Sequence, residues 1–298
     1  MKKIFVFLGL SLLMACENES GIMTGSVESD TAVASVKVHV DDFSVLMDDF
    51  AGGTTRTVSD VDDYNGVNAV TLAFYKSDGT EVEKITQLKD DDSTYETFGE
   101  FECSLPMGSY TLVVLAYYTN ENSVLTLTSL TEASYSPRAR ETFAATQTLT
   151  ISNTDAVDIS ATLNRIVSML TVKSTDGKTA DVSNVRMTFS AGGLDFNPTL
   201  GLAITDTGFA NTVGNSAAVG TTSTSSTYLF LNTDEQDIDV TIETLDADGN
   251  TLFRKTIEDV PFKRNRLTKL TGAMYTNSGT AGAFVVTTDW LTETNINF

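Results

Sequence analysis

Cysteine, histidine and tryptophan are almost missing from this chain: two, one and one in 298 residues. Cys103 lies in Phe101-Glu102-Cys103-Ser104-Leu105, where alternation puts it on one face with Phe101 and Leu105. That is the setting of a small buried hydrophobe rather than a reactive thiol. The single histidine, His39, faces away from Val36, Val38 and Val40, so a Ser-His-Asp constellation has little to be built from. The chain is therefore not expected to be an enzyme, and no cofactor or metal is expected. Acids abound, but Asp60 to Asp63 and Asp90-Asp91-Asp92 read as solvated loop charge. Trp290 ends an alternating run and reads as core, leaving Tyr117, Tyr118 and Tyr135 as platforms for stacking a sugar ring. Bases are scarce too, 19 against 40 acids, a formal net charge of −21. That excludes nucleic acid, which needs a basic footprint, and polybasic attachment to anionic lipid. An acidic excess on an exported protein mostly gives solubility and mutual repulsion.

A long hydrophobic run is also lacking. Ile4 to Leu13, after the positive Met1-Lys2-Lys3, is too short to span a bilayer as a helix. It is followed by Leu13-Met14-Ala15-Cys16, which resembles a bacterial lipobox. An ordinary secretory signal would want small residues at both flanking positions, and Leu13 suits that poorly. On this reading residues 1–15 are a signal peptide, and Cys16 is acylated and becomes the mature N-terminus. Each buried CH₂ contributes about 0.8 kcal/mol, and stable anchoring takes more than one acyl chain. Residues 16–32 are polar and aperiodic and read as a flexible tether. Acylation of Cys16 leaves Cys103 without a disulfide partner. Loss of residues 1–15 takes away two lysines and no acids, leaving 17 basic against 40 acidic residues, a net charge of −23.

Helical periodicity is nearly absent, and a helical turn is expected only within Thr131 to Ala145. Period-two runs rich in Val, Thr, Ile, Phe and Tyr recur instead. They include Val36 to Val40, Val67 to Tyr75, Tyr110 to Tyr118, Val157 to Leu163, Val167 to Lys173, Ile238 to Leu245 and Leu267 to Tyr275. Many short strands separated by turn residues indicate an all-β chain of antiparallel β-sandwiches. Val70 to Ile85 and Val240 to Ile257 both begin Val-Thr and carry Asp-Gly at the same offset, Asp78-Gly79 and Asp248-Gly249. Asp-Gly favours tight primed turns, and the likeness of the two hairpins suggests two related domains. The boundary is placed at Leu163-Asn164-Arg165, giving an N-terminal sandwich over 33–163 and a C-terminal one over 164–298. Asn211 to Thr227 is small, polar and aperiodic, and reads as a long surface loop.

Four segments together resemble the fimbrillin superfamily of Bacteroidetes surface pilins, nearest its FimB-like fimbrial anchor and minor-subunit lipoproteins. They are Thr54-Thr55-Arg56-Thr57 before the Val67–Tyr75 strand, Leu105-Pro106-Met107-Gly108-Ser109-Tyr110 leading into TLVVLAYY, Leu163 to Leu170, and Lys263-Arg264-Asn265-Arg266-Leu267-Thr268. The resemblance implies two tandem transthyretin-like sandwiches on an outer-membrane lipoprotein displayed at the cell surface or in a fimbrium. It also implies assembly with other fimbrial subunits by strand exchange, supporting adhesion to an unidentified host or bacterial surface ligand. Pilus subunits of that superfamily are processed after an arginine, shedding the first strand, and a neighbour's strand fills the groove. Here Arg56, with Thr57 as the new N-terminus, is the candidate position; Arg138 and Arg140 are rivals, and a loop arginine also needs no function. Only LTETNINF follows Trp290, which favours an anchor or accessory subunit over a self-polymerising one. Arg165 and Arg266 are expected to pair with carboxylates. The alternative is a surface glycan-binding lipoprotein.

Overall fold

The computed structural model describes residues 32–47, 55–57, 61, 64–91, 95–276 and 284–288; for 41–47 and 55–57 it describes the backbone alone. Among the described residues there is no helix. The strands are β1 (Val33–Met47), β2 (Thr55–Thr57), β3 (Ala69–Lys76), β4 (Glu81–Leu88), β5 (Glu100–Pro106), β6 (Gly108–Tyr117), β7 (Val124–Ser129), β8 (Glu132–Ser136), β9 (Thr142–Ile151) and β10 (Val157–Arg165). They continue as β11 (Ser168–Ser174), β12 (Asn184–Phe189), β13 (Asp195–Asn197), β14 (Leu202–Ala203), β15 (Phe209–Gly214), β16 (Thr224–Leu229), β17 (Glu235–Leu245), β18 (Thr251–Lys263), β19 (Leu267–Gly272) and β20 (Val285–Thr288).

Two sandwiches follow one another with the same wiring. In the first, β4-β3-β6-β9 faces β5-β1-β10; in the second, β15-β12-β17-β18 faces β16-β11-β19. Taken in chain order, β3 corresponds to β12, β6 to β17, β9 to β18 and β10 to β19. Pairing is antiparallel except where the first strand meets the last, β1 with β10 and β11 with β19, which run parallel. Such a pair needs a long crossover, and here the remaining strands of the sandwich supply it.

Each sandwich has its own core. Val36, Leu72, Leu112, Phe143 and Leu163 belong to the first, and Leu170, Val185, Phe189, Val240 and Leu270 to the second. A third core joins them. The connection from β6 to β9 puts out the hairpin β7–β8, and the connection from β12 to β15 puts out β13–β14. The two hairpins pair through β8 and β13 into one small sheet. Beneath it Phe230 stacks on Phe196 at 4.0 Å and on Tyr135 at 6.3 Å. This explains why β3 and β6 read as continuous apolar runs. Leu72 and Phe74 serve one core, Ala73 and Tyr75 the other, and Val114 and Leu115 divide likewise.

Three sequence expectations need correcting. Thr131 to Ala145 holds no helical turn but β8 and the start of β9, because its alternate residues Ala133 and Tyr135 are drawn into the bridging core. Asn211 to Thr227 is loop only in its middle, over 215–223: its ends belong to β15 and β16, where Asn211 and Thr227 bond each other inside the sandwich at 2.6 Å. The two Asp-Gly hairpins are not equivalent, since β3–β4 corresponds to β12–β15 and β17–β18 corresponds to β6–β9. Nor are their turns the tight primed type. Only Gly79 and Gly249 take positive φ, at 83° and 87°, and both hairpins carry register shifts near the turn. Asp78 Oδ1 instead accepts the Thr80 N–H at 2.9 Å, and Asp246 Oδ1 accepts those of Asp248 and Asn250. Towards the C-terminal side of the first sandwich, β10 continues through Asn164 to Arg165.

Phe230 sits at the centre of the aromatic stack with no exposed surface. Its replacement by alanine is expected to destabilise the chain by about 3–5 kcal/mol, read as a lowered urea midpoint.

Candidate strand-exchange site at the first strand

β1 is the first strand among the described residues yet lies inside its sheet. Over Val33–His39 it pairs antiparallel with β5, and over Val36–His39 it pairs parallel with β10. A register shift follows between His39 and Asp42, after which Asp42–Ser44 pair with Thr162–Asn164. Alternation fits the sequence pattern: Ala34, Val36 and Val38 are fully buried and Val40 nearly so. Burying a valine contributes roughly 1.5–3 kcal/mol, so the three together contribute several kcal/mol. An empty β1 groove would expose that surface together with two rows of unpaired backbone groups.

The solvent face of β1 is strapped by polar side chains of β5 and β10. His39 Nε2 lies 3.0 Å from Asp158 on β10, and its Nδ1 lies 3.6 Å from Glu100 on β5. Lys37 reaches Glu102 at 3.9 Å. The lone histidine thus links β1 to both of its neighbours, as its outward position requires.

Arg56 lies on β2, which pairs antiparallel with the end of β1, Leu46 opposite Arg56 and Val45 opposite Thr57. A loop is expected here from the sequence; the backbone is a short strand that, among the described residues, pairs with β1 alone. Downstream the chain is fastened twice. Val61 is buried in the first core, where Gly99, at φ 91°, leaves it room: a Cβ there would lie 2.6 Å from the Val61 side chain. Tyr64 donates its hydroxyl hydrogen to Glu141 Oε1 at 2.8 Å and accepts from Arg165 Nη2 at 3.2 Å. Burial first, and the neighbouring Glu141 second, push the Tyr64 phenol far above its ordinary range. Candidate cleavage position and removable strand therefore both lie on the N-terminal side of these fastenings.

Arg165 is the hub of that second fastening. Its side chain is almost fully buried, its Nη2 lies 2.6 Å from Glu141 Oε1, and its Nη1 donates to Asn265 Oδ1 at 3.1 Å. The guanidinium stands 5.0 Å from the Phe143 ring. The carboxylate partner expected for Arg165 is thus Glu141, and Asn265 carries the contact into the second sandwich. Neither Tyr64 nor Glu141 stands out in the sequence, since no local pattern marks a residue whose partners lie far along the chain, 101 positions for Tyr64 and Arg165 and 77 for Tyr64 and Glu141. Beside this seam a cleft of about 650 Å³ opens between Ala144–Thr146, Asn164–Ile166, Pro198–Gly201 and Lys263–Arg266.

The rival sites Arg138 and Arg140 are half-buried. The Arg138 carbonyl accepts the Ser123 hydroxyl at 2.6 Å, and the Arg140 guanidinium lies 5.7 Å from the Tyr118 ring. The sugar platforms do not survive as a set: Tyr117 and Tyr135 are buried, and Tyr118 is half-buried beneath Arg140. Among the described residues no group of His, Cys, Asp and Glu is arranged to hold a metal ion. Cys16, Trp290 and the segment after it lie outside the described residues. Cys103 is half-buried on β5 opposite Val36, and burial, with Glu83 and Glu102 nearby, pushes its thiol up to about 11.

The chain thus forms two β-sandwiches in tandem, with β1 paired to both β5 and β10 over Val36–His39 and Arg56 on the short strand beside its end. The chain belongs to a family described as of unknown function, DUF6562, matched over residues 33–295. No curated protein matches it. Among solved structures it is similar to a Bacteroides thetaiotaomicron protein provisionally described as an adhesin, at 10% identity, covering 87% of this chain and 97% of that one with a TM-score of 0.53. A Bacteroides ovatus protein with the same provisional description aligns at 12% identity, 88% and 94% coverage and a TM-score of 0.51. These two likenesses show a shared fold. The fimbrial anchor protein Mfa2 of Porphyromonas gingivalis also aligns, at 12% identity, 87% and 98% coverage and a TM-score of 0.49.

Two outcomes are expected from this site. Arg165→Ala leaves Glu141 buried without its charge partner and should cost about 3–5 kcal/mol in urea unfolding. For Cys103 the thiolate is the reactive form, so a raised folded value slows alkylation below it. At pH 9 the folded chain should react with iodoacetamide at least about tenfold more slowly than the urea-unfolded chain.

Proposed function

We propose that this protein is a lipid-anchored fimbrial subunit of the anchor or accessory type, held on the outer membrane through Cys16 and joined to other fimbrial subunits by β-strand addition. The reading includes support of adhesion at the cell surface and no enzymatic activity. The observation that carries it is the placement of β1, which is paired with β5 on one side and β10 on the other over Val36–His39. It follows the lipobox-bearing segment in sequence and precedes Arg56 on the edge strand β2. Cleavage after Arg56 would separate the lipidated segment and β1 covalently from the body, while Val61 and Tyr64 hold the rest in place. Any replacement strand must present small aliphatic side chains at alternate positions to refill the places of Ala34, Val36, Val38 and Val40. A chain that is never cleaved keeps its own β1 and its lipid, as an anchor must. The adhesin descriptions of the two proteins sharing its fold support a surface role.

The test is intact-mass and N-terminal analysis of the protein recovered from its native cell surface. A chain beginning at acylated Cys16 is expected, and it makes the protein a tethered anchor that retains β1. A chain beginning at Thr57 would make it a polymerising subunit instead. An unacylated N-terminus anywhere else would overturn both.

A further inference from the structure

The two sandwiches share their wiring but differ at one edge. In the second, the side of β19 away from β11 carries β20, antiparallel, with Leu270 opposite Val286 and Thr271 opposite Val285. Phe284 packs on the second core there, beside Gly272, where a Cβ would come within 2.8 Å of its ring. In the first sandwich the corresponding strand is β10. On its side away from β1 it meets β9 only at Asn164 and Arg165. From there β9 and β10 diverge, and among the described residues no strand pairs with that edge over Val157–Leu163.

This edge has the form of an unfilled place. Ala145 and Leu149 on β9, with Val157 and Ile159 on β10, pack against the core yet are only half-buried. The Gln147 side chain crosses the gap and donates its amide to the Ser160 carbonyl at 3.0 Å, where a neighbouring strand would donate a backbone N–H. That bond shows which way Ser160 directs its backbone groups. By the two-residue repeat of a strand, Asp158 and Thr162 direct theirs the same way.

The chain also displays a free strand edge. β20 pairs with β19 on one side alone among the described residues, and its valines are exposed, Val285 by 62% and Val286 by 37%. An unpaired edge bearing exposed aliphatic residues is a template for another strand.

We propose that the free edge of β10 receives the free edge of β20 from a second copy of this chain, so that one sheet runs through both molecules. The occupant is chosen by internal precedent, because β20 is the strand that this chain already places against the corresponding edge of β19. The contact joins the second sandwich of one copy to the first sandwich of the next. It is heterologous, leaves a free edge at each end, and extends into a row unless the rotation closes. It needs no loss of β1 and no cleavage at Arg56, so it stands apart from the strand exchange proposed above. With a net charge of −21 on each chain, salt should strengthen the contact by screening the repulsion.

The test is sedimentation equilibrium of the mature chain made without lipid (Cys16→Ser), over a range of concentration and salt. The expected result is an average mass that rises with concentration and rises further with salt. Ser160→Pro removes an outward N–H while leaving the β1 ladder intact, and Val285→Lys places a charge on the donor edge; each should weaken association about tenfold or more. Gln147→Ala, which frees the Ser160 carbonyl, should strengthen it, an outcome that a folding defect would not give. Mixing Ser160→Pro with Val285→Lys should yield a one-to-one dimer that grows no further, since each variant keeps the edge that the other has lost. A chain that stays monomeric at every concentration, association indifferent to Ser160→Pro, or a mixture that stays monomeric would overturn the proposal; the second would point to β20 pairing with its own counterpart.

Discussion

Over Val36–His39 both backbone edges of β1 are paired, with β5 on one side and β10 on the other, and its inward side chains Ala34, Val36, Val38 and Val40 fill the first core. A strand so placed cannot leave without exposing two rows of hydrogen-bonding groups and several kcal/mol of apolar surface. The rest of the first sandwich is arranged around this constraint. Val40 takes its backbone bond from Gly99, whose left-handed conformation also admits Val61. His39 and Lys37 tie the solvent face to β5 and β10. A strand held this firmly by groups that any suitable strand could supply is removable in principle and indispensable in practice, which is the physical requirement for complementation between chains.

Integrity of the remainder depends on the seam. The bridging sheet takes one hairpin from each sandwich, and the Phe196–Phe230–Tyr135 stack closes the space beneath it. Arg165, Glu141, Tyr64 and Asn265 form a polar counterpart close by. A buried ion pair of this kind is weak evidence for net stability but strong evidence for a fixed arrangement, since either charge alone would be costly. It ties the segment after Arg56 to the junction of the two sandwiches.

The all-β class, most strands and the outward face of His39 were legible because period-two alternation is a local property of a strand with one buried face. Alternation failed where that premise failed. β3 and β6 are covered on both faces, and β8 was mistaken for a helical turn because its burial is created by β13 and Phe230 from the other half of the chain. The likeness of the two Asp-Gly hairpins pointed to a repeat that does exist, yet the hairpins sit at different places within it. Turn chemistry repeats wherever a tight connection is needed, so it does not align one sandwich with another. Arg165 was recognised as a paired arginine, while Glu141 and Tyr64, its partners, carried no signal of their own.

What the sequence determined by itself was the strand-forming pattern, the acidic and nearly histidine-free composition, and the order Cys16, β1, Arg56 along the chain. These follow from residue type and spacing, which act over a few positions. Only the tertiary structure decided that the first strand lies between β5 and β10, that among the described residues no strand fills the fork of β9 and β10 while β19 carries β20, and that Tyr64 and Arg165 meet. Those outcomes depend on which distant strand reaches an edge first and fills it, and pairing across a hundred residues is settled by packing of the whole rather than by any local preference.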